Sequence, residues 1–158
     1  MENSKIEERF YLGKYISLLN RHGMCFMNSH MSDWGLSSGE HVFLFYLYNN
    51  DGSSQDEISK NLEIDKGTTA RAIKKLENKE FVYRVDDDKD KRIKRVFLTK
   101  KAFEIRKDLL KLSEKWKDTL VCGFDDKEIE LMETLIKKLV NNASNYRNLR
   151  NKRGDLNV

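Results

Sequence analysis

Apolar positions recur at three- and four-residue steps near the start of the chain: Ile6, Phe10, Leu12, Tyr15, Ile16, Leu19 and Phe26 make one stripe across residues 4–31. Tyr11, Leu18, Met24 and Met27 widen it. The period predicts a helix whose apolar face is broader than one domain surface needs, so its second side is expected to pack on another subunit. Gly23 is the weak point at which a bend is expected. Ser37 and Glu40 have capping-box spacing and open a helix from Ser38 to Asn49. That helix is apolar nearly all round from Val42 to Tyr48, hence central, and Asn50-Asp51-Gly52 supplies the turn chemistry that ends it. Ser54 and Glu57 repeat the capping box before a short helix ending near Leu62, and Asp65 is an N-cap for another running to about Lys79.

On a wheel of 3.6 residues per turn, Thr69, Ala72, Ile73 and Leu76 of that last helix share one side. Gly67, Thr68, Arg71, Lys74, Lys75 and Asn78 share the other. One face is made to pack, and the other is basic and rich in donors. Phe81–Val85 and Ile93–Leu98 then have the β-branched and aromatic content of strands. The loop between them holds DDDKDKR, with no apolar residue, and is therefore expected outside the core. A charged-tip hairpin directly after such a helix predicts a winged helix-turn-helix, mainly α with a small β-hairpin wing. Beyond it, Thr99 caps a long helix to about Val121, with Phe103, Ile105, Leu109, Leu112, Trp116 and Leu120 as the expected inner face. Gly123 breaks the pattern, and Asp125 with Glu128 caps a final helix carrying Ile129, Met132, Leu135, Ile136, Leu139, Val140 and Ala143.

The order of these parts resembles the MarR family of winged helix-turn-helix regulators. The matching residues are Leu36-Ser37 and the apolar helix after them, DEISKNLEID, DKGTTARAIKKLENKEFVYR, the D-x-R of Asp90-Lys91-Arg92, and Leu98-Thr99. The resemblance spans residues 36–102, with the flanking helices matched by length and order. Glu80 and Ala102 stand where the family usually has glycine, and Ser38 where it often has proline. The resemblance implies one domain overall, made of an N-terminal dimerisation helix (1–35), a DNA-binding lobe (36–98), linking and dimerisation helices (99–147) and a disordered basic tail (148–158). It also implies that Arg92 enters a minor groove with Asp90 orienting it. A small aromatic or phenolic effector is expected between the dimer helices and the DNA-binding lobe, for which Met24, Met27, His30, Trp34 and Tyr46 are candidate lining residues. The same residues serve equally well as core.

Charge supports a nucleic-acid partner through its distribution more than its total. The net charge is only +4, but residues 58–123 carry 19 Lys/Arg against 12 Asp/Glu, whereas residues 1–57 carry 4 against 8. Within the basic middle, Arg71 has the planar fork that matches the O6/N7 edge of guanine. Thr68 lies beside it, Lys74 and Lys75 are expected on phosphates, and Ser53, Ser54 and Gln55 are candidate backbone donors. Neither the longest apolar run, Val42–Tyr48, nor the charged start MENSKIEERF suggests a membrane span or a secretory signal, so the cytoplasm is the expected location. No catalytic constellation, cofactor motif or complete metal-ligand set is visible. His22 and Cys25, three residues apart, leave a metal- or redox-sensing regulator as one alternative. An architectural or protein-interaction winged helix without operator specificity is another. The leading expectation is a homodimeric, ligand-responsive repressor of a palindromic double-stranded operator.

Overall fold

The computed structural model describes the backbone of residues 11–154 and the side chains of residues 11–147. Helix α1 spans Tyr11–Met31, and a 3-10 turn follows at Ser32–Trp34. Ile6 and Phe10 of the expected first stripe lie outside the described residues, and α1 runs unbroken through Gly23. An added Cβ at Gly23 would stand 3.5 Å from the Trp116 indole. That glycine therefore makes room for a neighbouring ring.

Helix α2 spans His41–Leu47, shorter at both ends than the expected Ser38–Asn49. The reason lies in the turn before it. The Glu40 N–H donates to the Ser37 carbonyl at 2.9 Å, and the Ser37 N–H donates to the Glu40 carboxylate at 2.8 Å. The Ser38 N–H is drawn away to Asn28 Oδ1 at 2.7 Å. These amides are satisfied in a turn, so the helix starts after them. Only one side of α2 is deeply buried, through Phe43, Leu44 and Leu47.

Helix α3 (Gln55–Asn61) opens with both halves of the Ser54/Glu57 capping box in place. Helix α4 (Lys66–Asn78) opens on Asp65, whose carboxylate accepts from the Thr68 N–H at 2.8 Å. Strands β1 (Val82–Asp86) and β2 (Lys94–Leu98) pair antiparallel from Val82↔Leu98 to Asp86↔Lys94. Both begin one residue later than expected. Phe81 is wholly buried beneath the hairpin instead of lying in it. A bridge between Ser54 and Arg95 extends the sheet towards the start of α3.

Gly52 turns the chain into that bridge at φ +79, and a Cβ there would meet the Phe97 ring at 2.8 Å. Glu80 takes the same left-handed region at φ +62 in the turn between α4 and β1. A side chain there is strained, whereas glycine is not. Glu80→Gly is therefore expected to raise unfolding stability by about 0.5–1 kcal/mol, the strain relief exceeding glycine's entropy cost. A denaturant titration with an unchanged m-value checks this.

One continuous core joins Met27, Met31 and Leu36 to Phe43, Leu44 and Leu47, to Ile58, Ile73 and Leu76, and to Phe81, Val82, Val96 and Leu98. Helix α5 (Lys100–Leu120) contributes Ala102, Leu109 and Leu112. Phe103 and Leu120, expected on its inner face, are exposed. Thr99 does cap α5: its hydroxyl accepts from the Ala102 N–H at 3.4 Å. Among the described residues, those up to 116 form one compact unit and those from 117 a second.

In the second unit, Asp125 and Glu128 complete a reciprocal capping box at 2.9 Å in both directions. Helix α6 runs from there as Asp126–Gly154, past the boundary near 147 expected from sequence. Leu131, Leu135, Ile136, Leu139, Val140 and Tyr146 along it are all exposed.

Candidate nucleic-acid interface

Thr69, Ala72, Ile73 and Leu76 are the buried residues of α4, the four that the wheel assigns to packing. Arg71, Lys74 and Lys75 are consequently exposed, with Thr68 half-buried beside them. The Arg71 Nη2 donates to the Thr68 hydroxyl at 2.9 Å, one turn back along the helix. That bond restricts the guanidinium without consuming its remaining donors.

The wing tip is built the same way. Arg92 donates from Nε and Nη2 to the two Asp90 oxygens at 2.9 and 2.8 Å, a bidentate fork. Its side chain is nonetheless 90% exposed. The Asp90 carboxylate also accepts from the Arg92 backbone N–H at 3.1 Å, and the arginine holds its pKa below the ordinary value. Asp90 therefore orients Arg92, and the pair projects into solvent.

Two of the other three aspartates of the loop are also engaged. Asp86 pairs with Lys94, and Asp87 with Arg95. Asp87 is buried, and it additionally accepts from the Lys89 and Asp90 N–H groups at 2.9 and 3.1 Å. The Arg95 guanidinium, followed by those two amides, depresses the Asp87 carboxyl pKa from 3.8 to about 2. Arg95 also donates to the Gly52 carbonyl at 3.0 Å and lies 3.7 Å from Glu57, which ties the wing to the start of α3. Nothing in the linear sequence distinguishes this clamp from the other charges of DDDKDKRIKR.

Because the folded-state pKa of Asp87 is depressed, its contribution to stability is complete above the unfolded value. It is lost as pH falls from about 3.8 towards 2. Hydrogen exchange at the Lys89 and Asp90 amides, read against exchange at core amides, is expected to quicken across that window. In Asp87→Ala it should be fast already at neutral pH. Unchanged protection in the variant would show that the clamp does not order the loop.

Between the start of α3 and the wing lies a concave surface of about 230 Å³, lined by Ser54, Gln55, Asp56, Arg92, Ile93 and Lys94. The structure thus brings Ser54 and Gln55 together with Arg92. Ser54 itself is buried and caps α3, accepting from the Glu57 N–H at 3.2 Å. The Ser53 hydroxyl donates to the Asn50 carbonyl at 2.7 Å. Ser53 and Gln55 are both half-buried, and of these two only Gln55 lines the concave surface.

A second cavity, of about 430 Å³, opens between α1, the start of α2 and α5. Met24 and Met27 line it, joined by Leu19, His41, Phe45 and Trp116. His30, Trp34 and Tyr46 do not. His30 stacks on Phe26 with ring centroids 4.4 Å apart, Trp34 packs against the core, and the Tyr46 hydroxyl accepts from Asn61 at 3.2 Å. Sequence reasoning missed His41, whose Nδ1 is buried without a partner and whose burial pushes its pKa down. His22 and Cys25 are both exposed, and among the described residues no three His, Cys, Asp or Glu side chains gather to hold a metal.

The model of the MarR family matches residues 36–94. The uncharacterized HTH-type transcriptional regulator YybA of Bacillus subtilis (strain 168) is 30% identical over 115 residues, covering 73% of this chain and 77% of that one. Among solved structures, a MarR transcriptional regulator from Methanosarcina mazei Go1 superposes with a TM-score of 0.78 at 39% identity, covering 85% of this chain and 97% of that one. The transcriptional regulator SlyA superposes with a TM-score of 0.82 at 25% identity, covering 85% and 94%. With the helix-turn-helix, the charged wing and these likenesses together, the chain belongs to the MarR family of winged helix-turn-helix, DNA-binding transcriptional regulators.

Proposed function

We propose that the protein is a cytoplasmic homodimer that represses transcription by binding a palindromic operator and releases it in response to a small aromatic or phenolic effector. The observation that carries the DNA-reading part is the exposed face of α4, where Arg71 is held by Thr68 beside Lys74 and Lys75. Arg71 reads a base edge, Lys74 and Lys75 meet phosphates, and Arg92 enters the adjoining minor groove. Gln55 and the surface it shares with Arg92 and Lys94 suit the sugar-phosphate backbone.

Two exposed apolar faces support the dimer. Leu12, Tyr15, Ile16 and Leu19 of α1 are each at least half exposed. In α6, Leu131, Leu135, Ile136, Leu139 and Val140 are uncovered over nearly three turns. Soluble monomers rarely leave such continuous apolar surface in water. The effector would occupy the 430 Å³ cavity, whose size suits a small molecule and whose lining is apolar around the neutral His41.

Light scattering at micromolar concentration should give twice the 18.7 kDa chain mass. Footprinting should show two protected half-sites about 34–36 Å apart. A monomer that still protects a two-fold site would overturn the dimer, and uniform coating of DNA would favour an architectural role.

A further inference from the structure

One ion pair with a buried carboxylate and a half-buried lysine serves neither the DNA-facing surface nor the apolar core. Lys79, at the C-terminal end of α4, donates from Nζ to both Glu40 oxygens at 2.8 and 2.7 Å. The Glu40 side chain is 4% exposed and that of Lys79 35%. Glu40 sits in the turn before α2, where its carboxylate is already fixed by the Ser37 N–H at 2.8 Å. The same turn is tied to α1 through Ser38 and Asn28. From the other side, Lys101 of α5 donates to the Lys79 carbonyl at 2.8 Å. The end of α4 is therefore gripped by polar bonds from two elements.

We propose that the Glu40–Lys79 pair is a positioning device that fixes the rotation and depth of the recognition helix, making Glu40 a determinant of sequence selectivity although it touches no DNA. The proposal rests on operator recognition by α4 as set out above. Three physical points support it. Burying the Glu40 carboxylate costs about as much as its attraction to Lys79 returns, so such a pair contributes little to stability and is best explained by the geometry it specifies. The packed face of α4 (Thr69, Ala72, Ile73 and Leu76) holds the helix down, but apolar burial is non-directional and tolerates small rotations. Those rotations matter for base reading: turning a helix by about 10° carries a point about 6 Å from its axis through about 1 Å. A bidentate hydrogen bond, with its narrow range of heavy-atom distances, does not survive that shift, whereas a lysine on a phosphate follows it.

The test compares the full-length parent with Glu40→Gln and with the double variant Glu40→Gln/Lys79→Met. The double variant leaves the net charge unchanged and strands no buried ion. Affinity is measured at one salt concentration for the best site selected from random DNA and for a random duplex, with a thermal melt of each protein. The ratio of the two affinities should fall at least tenfold in the double variant. Random-duplex affinity should hold within about twofold, its salt slope should not change, and the melting temperature should stay close to the parent's. Glu40→Gln removes a negative charge, which by itself favours DNA, yet its ratio should also fall; that single variant decides if the double variant does not fold. A ratio equal to the parent's, with or without a lower melting temperature, overturns the proposal and leaves the pair a packing feature. A parent with no preferred site would instead overturn operator recognition itself, and this inference with it.

Discussion

Arg71→Ala is expected to weaken operator binding by about 1–3 kcal/mol per half-site and to relax base preference at the position it reads. In a dimer both half-sites lose the contact, so the total effect is the largest of any single substitution considered. The expectation rests on geometry. Arg71 is exposed, and its Nη2 bond to Thr68 holds it against α4 in the free protein. An arginine already held loses less side-chain entropy when it binds than a free one. Lys75→Ala, on the same exposed face, should instead weaken all sequences alike and lower the salt slope by about 1 per half-site. Equal losses on operator and random DNA for Arg71→Ala would show that the base contact belongs to another residue.

Asp90→Ala should also weaken operator binding, although it makes the protein more basic. Removing a carboxylate near DNA helps electrostatically, and losing the fork that orients Arg92 hurts. The structure favours the second effect, because Asp90 holds Arg92 through two side-chain bonds and one backbone bond. Arg92→Ala should weaken binding too, most of all on sites whose flanks are A·T-rich and narrow in the minor groove. The double variant should be little worse than Arg92→Ala alone, because the aspartate then has nothing to hold. Titrations of all three against one operator at fixed salt decide the matter. Tighter binding by Asp90→Ala would reduce the pair to a solvated charge run.

What was legible in the sequence follows from how local each signal is. The two faces of α4, the Ser54/Glu57 box, the Asp65 cap and the Asp125/Glu128 box are all written within one or two turns of chain, and each appears as read. The D-x-R of the wing was read from the family resemblance, since its residues alone suggest only a charged loop, and Asp90 and Arg92 are in fact bonded to each other. Signals that depend on distant partners were not. The start of α2 was misread because Glu40 is committed to a turn and to a lysine 39 residues away. Arg95 carries no local mark of its role, and its partners include Gly52 and Glu57. In the cavity, Met24 and Met27 were found because they share a helix face. His30, Trp34 and Tyr46, candidates by the family resemblance, do not line this cavity, because position in sequence does not say which way a side chain points.

Selection of bound sites from random double-stranded DNA by the full-length protein tests the central claim most directly, namely that α4 and the wing read a defined sequence. The account predicts enrichment of a two-fold symmetric site with half-sites about one helical turn apart and A·T-rich flanks. In Arg71→Ala that enrichment should collapse at one position of each half-site and persist elsewhere. A parent pool that stays unenriched through successive rounds, while still binding DNA at low salt, would contradict the account.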